Sequence, residues 1–133
     1  MLMKYVLTIR TDKPEAEVGL FIDGKQKDYE VWEAHRELSL TILSKIEDLL
    51  KRNKRSFQDL NGIIGFRGPG SFTGLRIGLT VANTLAYGLR LPIVSSGKEK
   101  WIDHGLAQLK AGKNEKISLP EYGREARITK PRK

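Results

Sequence analysis

The chain has 133 residues, 39% of them hydrophobic and 30% charged, with 24 Lys and Arg against 16 Asp and Glu. That length suits one compact core rather than two full domains, and the balance of apolar and charged residues excludes a disordered chain. The absence of cysteine removes disulfides, thiolate nucleophiles and thiolate metal sites together.

Residues 5–9 form a β-favouring run in which Val6, Leu7 and Ile9 predict a buried first strand. A turn over Thr11, Asp12, Lys13 and Pro14 follows. Val18, Leu20 and Ile22 then alternate up to Asp23-Gly24, a strong hairpin signal. "KDYEVWE" continues as a third strand, so the opening segment predicts an antiparallel meander. The period then changes. Leu38, Ile42, Ile46 and Leu49 share one helical face, and Lys51, Arg52 and Lys54 sit near the C-terminal end, where the helix dipole favours cations. Leu40 and Leu43 lie outside that stripe and widen the apolar surface. His35, at the start of this helix, is expected to cap it or pack at the edge of the core.

"NGIIGF" predicts a short buried strand, and "GFRGPGSFTGLR" follows as a glycine-rich turn into a second helix. That helix carries Leu75, Leu79, Ala82, Leu85, Ala86 and Leu89 at helical spacing. "LPIVSS" adds a fifth strand, and residues 98–109 predict one more helix, from Trp101, Leu106 and Leu109. The order β-β-β-α-β-α-β requires a mixed five-stranded sheet with helical crossovers, an α/β fold. Residues 1–111 are expected to make the folded lobe and residues 112–133 a basic tail. From Lys98 onward there are ten Lys or Arg against five Asp or Glu, which leaves the tail as a solubilising end or an aid to RNA attraction. No run approaches a membrane span or a signal sequence, so a soluble intracellular protein without a membrane partner is expected.

The glycine-rich turn admits two accounts. A Walker loop needs a closing Lys followed by Ser or Thr, and the run Gly70-Ser71-Phe72-Thr73-Gly74 has no such Lys. A dinucleotide fingerprint wants an acid about twenty residues on, and no acid occurs between Arg67 and Glu99. A weaker anion site, with amides around Gly70 aided by Arg67 or Arg76, remains open. The simpler account is structural: Gly68 and Gly70 permit unusual backbone angles, Pro69 stiffens the turn, Ser71 or Thr73 caps the helix, and Gly74 allows close packing.

The second helix carries a stronger signal. Opposite Leu75 lie Thr73, Ile77, Thr80 and Thr84, flanked by Val81, and no charged residue occurs between Ile77 and Gly88. A solvated helix face in so charged a chain would carry Lys or Glu. Burial under the first helix or packing against a partner are the alternatives. Leu40, Leu43, Thr73, Ile77, Thr80, Val81 and Thr84 are therefore the candidate partner interface. Candidate catalytic and metal sets are thin: His35 and His104 are the only histidines, neither at ligand spacing. No cofactor is implied. Trp32 and Trp101 are expected in the core or at its edge.

"RGPGSFTGLRIGLTVANTLAYGL", with "AHRELSLTILSKIEDLL" upstream, resembles the bacterial TsaB (YeaZ) family of tRNA threonylcarbamoyladenosine biosynthesis proteins. The resemblance covers residues 3–101 and returns in "LPEYGREARITKP". It implies the N-terminal lobe of an actin-like, ribonuclease-H-like (ASKHA) fold. It further implies a non-catalytic partner of the TsaD transferase, with the TsaE ATPase in the same complex. That system modifies adenosine 37 of tRNA, so tRNA would be met indirectly. Family members pair with TsaD, and self-associate, through helices that correspond here to residues 34–51 and 72–89. Two departures stand out. Arg10 occupies the neighbourhood where relatives of the wider fold place an acid for magnesium and phosphate, and most of the family's second lobe has no counterpart after Gly112. A homodimeric structural protein and a small ATP-binding protein of the actin-like class are the alternatives.

Overall fold

The computed structural model describes residues 4–121; the expectations for residues 122–133 lie outside the described residues. β1 (Tyr5–Arg10), β2 (Glu15–Ile22) and β3 (Lys25–Glu33) form the meander, followed by a 3-10 turn (His35–Glu37) and α1 (Leu38–Arg52). A second 3-10 turn (Phe57–Asp59) leads into β4 (Gly62–Phe66), then α2 (Phe72–Leu89), β5 (Ile93–Ser96) and α3 (Trp101–Lys110). The sheet order is β3-β2-β1-β4-β5. The two meander pairings are antiparallel, and β1–β4 and β4–β5 are parallel, as helical crossovers demand.

Asp23 and Gly24 both take positive φ, 53° and 81°, which is how a two-residue hairpin matches the twist of its strands. β1 lies at the centre of the sheet and is covered on both faces, so its apolar run is nearly continuous. On one face Leu7, Ile9, Ile63 and Ile93 pack beneath Ile42, Ile46 and Leu49 of α1 and Ala82 and Ala86 of α2. On the other, Val6, Ile64, Phe66 and Val94 pack with Trp101 and Leu109 of α3. Trp101 meets Phe66 edge to face, with centroids 5.5 Å apart. Trp32 is half-buried and donates Nε1–H to Thr41 Oγ1 at 3.0 Å. Both tryptophans are thus packing residues, as expected. His35 differs from expectation. It sits at φ 47° with an exposed ring 3.4 Å from Glu33, because the 3-10 turn swings it away from the core and Ala34 takes the buried place.

The chain after α3 returns across the lobe. Glu115 N–H bonds to the Ile93 carbonyl, and Asn83 of α2 holds the backbone of Ser118 on both sides, at 3.0 and 2.8 Å. Glu121 N–H then reaches the Arg67 carbonyl. Residues 113–121 therefore run from the start of β5 to the end of β4.

α1 is locked to β3 by charge. Arg52 donates two bonds to the Asp28 carboxylate, 2.7 and 3.0 Å, and one to Glu30 at 2.8 Å, while Lys45 reaches the other Glu30 oxygen at 3.0 Å. The Arg52 hydrogen bonds hold the Asp28 carboxyl well below the usual carboxylate range, against a burial effect acting the other way, with Asn53 and the Tyr29 amide assisting. A depressed carboxylate contributes stability above its unfolded pKa of about 4 and loses it as pH falls further. Asp28→Asn is expected to cost about 1 kcal/mol at pH 7, given the partial exposure of the pair. It should also flatten the loss of stability below about pH 4, read from urea midpoints at pH 7 and pH 3. An unchanged acid limb in the variant would remove this assignment.

Candidate functional site

The glycine-rich turn is filled by the chain itself. Thr11 is buried at the end of β1 and its Oγ1–H donates to the Gly74 carbonyl at 2.7 Å. A Cβ on Gly74 would overlap the Thr11 carbonyl and one on Gly78 the Thr11 side chain, while Gly70 rests against Asp12. The Ser71 amide donates to the Asp12 carbonyl at 3.2 Å, so one of the amides expected to face outward is spent internally. Gly68 takes φ 116°, followed by a cis peptide to Pro69, and its Cα abuts the Glu121 carbonyl. Capping of α2 departs from expectation: Ser71 occupies the N-cap but makes no side-chain cap bond. The first helical bond runs instead from Leu75 N–H to the Ser71 carbonyl at 3.0 Å.

The two arginines expected to aid an anion site are engaged separately. Arg67 lies 3.9 Å from the Glu121 carboxylate. Arg76 projects from α2 with its guanidinium 5.5 Å from the Phe72 ring. Arg10 is neutralised by a two-bond pair with Asp12 at 2.7 and 3.2 Å and stacks 4.0 Å over Phe66. Sequence spacing did not reveal that stacking, because Phe66 arrives from a strand more than fifty residues away. Among the described residues no group of three or more His, Asp or Glu is placed to hold a metal ion, and no helix is long and apolar enough to cross a membrane.

Of the residues expected at the interface, Thr73, Ile77, Thr80 and Val81 line one groove. Leu75, Gly78, Leu79, Ala82 and Ala86 form the buried side of α2, and this rotation leaves Thr73, Thr80 and Thr84 exposed. Ile77 and Val81 are half-committed, packing partly against the core. Leu40 and Leu43 of α1 are 78% and 51% exposed. An open groove of about 340 Å³ runs between the helices, lined by Ser39, Thr73, Arg76, Ile77, Thr80 and Val81. Ser39 and Leu43 are one helical turn apart on α1, so Leu43 lies on the groove side of that helix, whereas Leu40 is not among the groove-lining residues. Phe72, half-exposed at the head of α2, extends the apolar rim; its position before a helix did not distinguish it from a core residue in the sequence.

The mixed sheet, its 3-2-1-4-5 order and the paired crossover helices define the class: an actin-like, ribonuclease-H-like lobe of the ASKHA type. The chain matches the TsaB/YeaZ family in sequence and in structure. It is 38% identical over 90 residues to the tRNA threonylcarbamoyladenosine biosynthesis protein TsaB of Escherichia coli K12, covering 67% of this chain and 38% of that protein. It is 30% identical over 118 residues to TsaB of Buchnera aphidicola (subspecies Baizongia pistaciae), covering 83% and 52% respectively. The solved structure of YeaZ from Pseudomonas aeruginosa superposes with a TM-score of 0.67 at 27% identity, over 71% of this chain and 44% of that one. Residues 32–96 match the family model described as TsaD, tRNA N6-adenosine threonylcarbamoyltransferase. The chain spans about half the length, or less, of the curated relatives it matches.

The helix glycines separate into two kinds with opposite expected behaviour. Gly78→Val drives a branched side chain into Thr11 and is expected to destabilise by about 2 kcal/mol. A methyl added at Gly88 would meet nothing within 4 Å, so Gly88→Ala is expected to gain up to about 1 kcal/mol from helix propensity. Thermal and urea unfolding of the two variants distinguish the cases, and equal effects would contradict the close approach.

Proposed function

We propose that this lobe is a non-catalytic docking subunit for a TsaD-like transferase in threonylcarbamoyladenosine modification of tRNA. The observation that carries the proposal is the α1/α2 face. It offers the exposed Thr73, Thr80 and Thr84 of α2, the exposed Leu40 and Leu43 of α1, and a groove between the two helices in which Arg76 is, among the described residues, the one charged lining residue. Small and β-branched side chains let a second helix approach closely, and exposed leucines supply apolar area that solvent does not reward. The family match makes a TsaD-like lobe the partner of choice, since lobes of one fold present matching helix pairs. A TsaE-like ATPase would join through that subunit, and tRNA would be reached through the assembly. Self-association through the same face is the competing use of the surface.

The turn supports this role rather than nucleotide chemistry, because Thr11, Asp12 and Glu121 close around its glycines. Catalysis is accordingly assigned to the partner.

Mixing the purified chain with its cognate TsaD-like subunit at micromolar concentration and weighing the products by light scattering tests the proposal. A heterodimer mass is expected, and Thr80→Glu, which places a charge in the centre of the groove, is expected to weaken association at least tenfold without changing the unfolding midpoint. A homodimer that persists in the presence of the transferase, or two unassociated monomers, would sink it.

A further inference from the structure

The three parallel strands begin at one end of the sheet, and the helices that connect them must finish there. α2 ends at Leu89 and β5 starts at Ile93; Glu115 N–H bonds to the Ile93 carbonyl and Asn114 Oδ1 accepts the Ile93 amide. The chain thereby brings Tyr87, Gly88, Arg90, Asn114 and Lys116 around a hollow of about 630 Å³. No Asp or Glu lines it. The nearest carboxylate in sequence, Glu115, is turned inward to accept hydroxyl bonds from Ser95 and Ser118 at 2.9 and 2.6 Å.

Cations gather near helix C-termini for ordinary dipolar reasons, yet that does not account for these two. The α2 terminus is closed by the backbone N–H of Arg90, bonded to the Ala86 and Tyr87 carbonyls. The side chains of Arg90 and Lys116 have no hydrogen bond or ion pair among the described residues. Tyr87, on the same hollow, is 89% exposed, a large ring left in water beside a glycine. At the same end of the sheet, two strands away at the start of β1, Lys4 and Arg55 lie 5.4 and 5.0 Å from the Tyr5 ring. Two cations and an open aromatic ring around one hollow suit a phosphate backbone carrying unstacked bases.

We propose that this end of the lobe binds single-stranded RNA, with Arg90 and Lys116 holding phosphates and Tyr87 stacking on a base. The site lies at the ends of the helices, apart from the α1/α2 groove, and is independent of the docking proposal.

The full chain, with its basic C-terminal segment intact, is titrated into a fluorescently labelled single-stranded RNA of about a dozen nucleotides in low salt, followed by anisotropy. Arg90 and Lys116 both sit at positive φ, 59° and 67°, where Asn is the best tolerated side chain after Gly, so the double variant R90N/K116N removes charge with little strain. Wild type is expected to bind at roughly 10 µM or tighter, with affinity falling steeply as salt rises. R90N/K116N is expected to bind at least tenfold more weakly. Tyr87→Ala should lose about fivefold or more on the single strand and nothing on a duplex of the same sequence, which a purely electrostatic surface would not distinguish. Lys98→Asn with Lys100→Asn, a charge-matched control between β5 and α3, should change binding less than twofold. Wild-type RNA binding that is absent, that survives R90N/K116N in a folded protein, that falls equally in the control, or that is outcompeted by anionic vesicles or poly-glutamate would overturn the proposal.

Discussion

The contact that sets the position of everything on the α1/α2 side of the lobe is between Thr11 and the first two turns of α2. Thr11 follows the central strand, and its hydroxyl and backbone press against Gly74 and Gly78, which sit four residues apart and so on one side of the helix. No side chain fits between them. The contact therefore fixes both the height of α2 over the sheet and its rotation about its own axis. With that rotation set, Leu75, Leu79, Ala82 and Ala86 turn inward, and the threonines have nowhere to go but out. α1 is held in place separately, by its apolar stripe beneath and by the Arg52 and Lys45 bonds to β3.

Two surfaces of different chemistry follow from this arrangement. The sides of α1 and α2 face away from the sheet around a groove lined by apolar and hydroxyl side chains with Arg76 among them, and a protein partner of the same architecture matches such a surface. The ends of the helices crowd cations around a hollow, and a polyanion matches that. The connectivity separates them: a right-handed crossover returns each strand to the same end, so helix sides and helix ends cannot coincide. One lobe can thus present both surfaces without one blocking the other.

The glycine-rich turn lacks several features that a phosphate loop needs. Arg10 is satisfied by Asp12 and by the Phe66 face. The Ser71 amide is used by Asp12, Arg67 is drawn toward Glu121, and Arg76 lines the groove between the helices. What remains of the turn is geometry, a tight entry that delivers α2 onto Thr11.

The elements, their order and the class of fold were all legible in the amino-acid pattern. Period-two strands, helical stripes of Leu and Ile, and Asp23-Gly24 are local signals that tertiary packing had no reason to override. The uncharged side of α2 was readable for the same reason, since helical spacing decides which residues share a face. What lies next to those faces came from the folded lobe alone. The partnering of Thr11 with Gly74, of Arg10 with Phe66 and of Asn83 with Ser118 joins residues tens of positions apart, and no periodicity encodes such pairs. Folding also turned His35 outward, left Ser71 without a cap bond, half-buried Ile77 and Val81, and assembled Tyr87, Arg90 and Lys116 around one hollow. Local patterns state which way a side chain points relative to its own element; where the elements meet is set by the closest packing of the whole lobe.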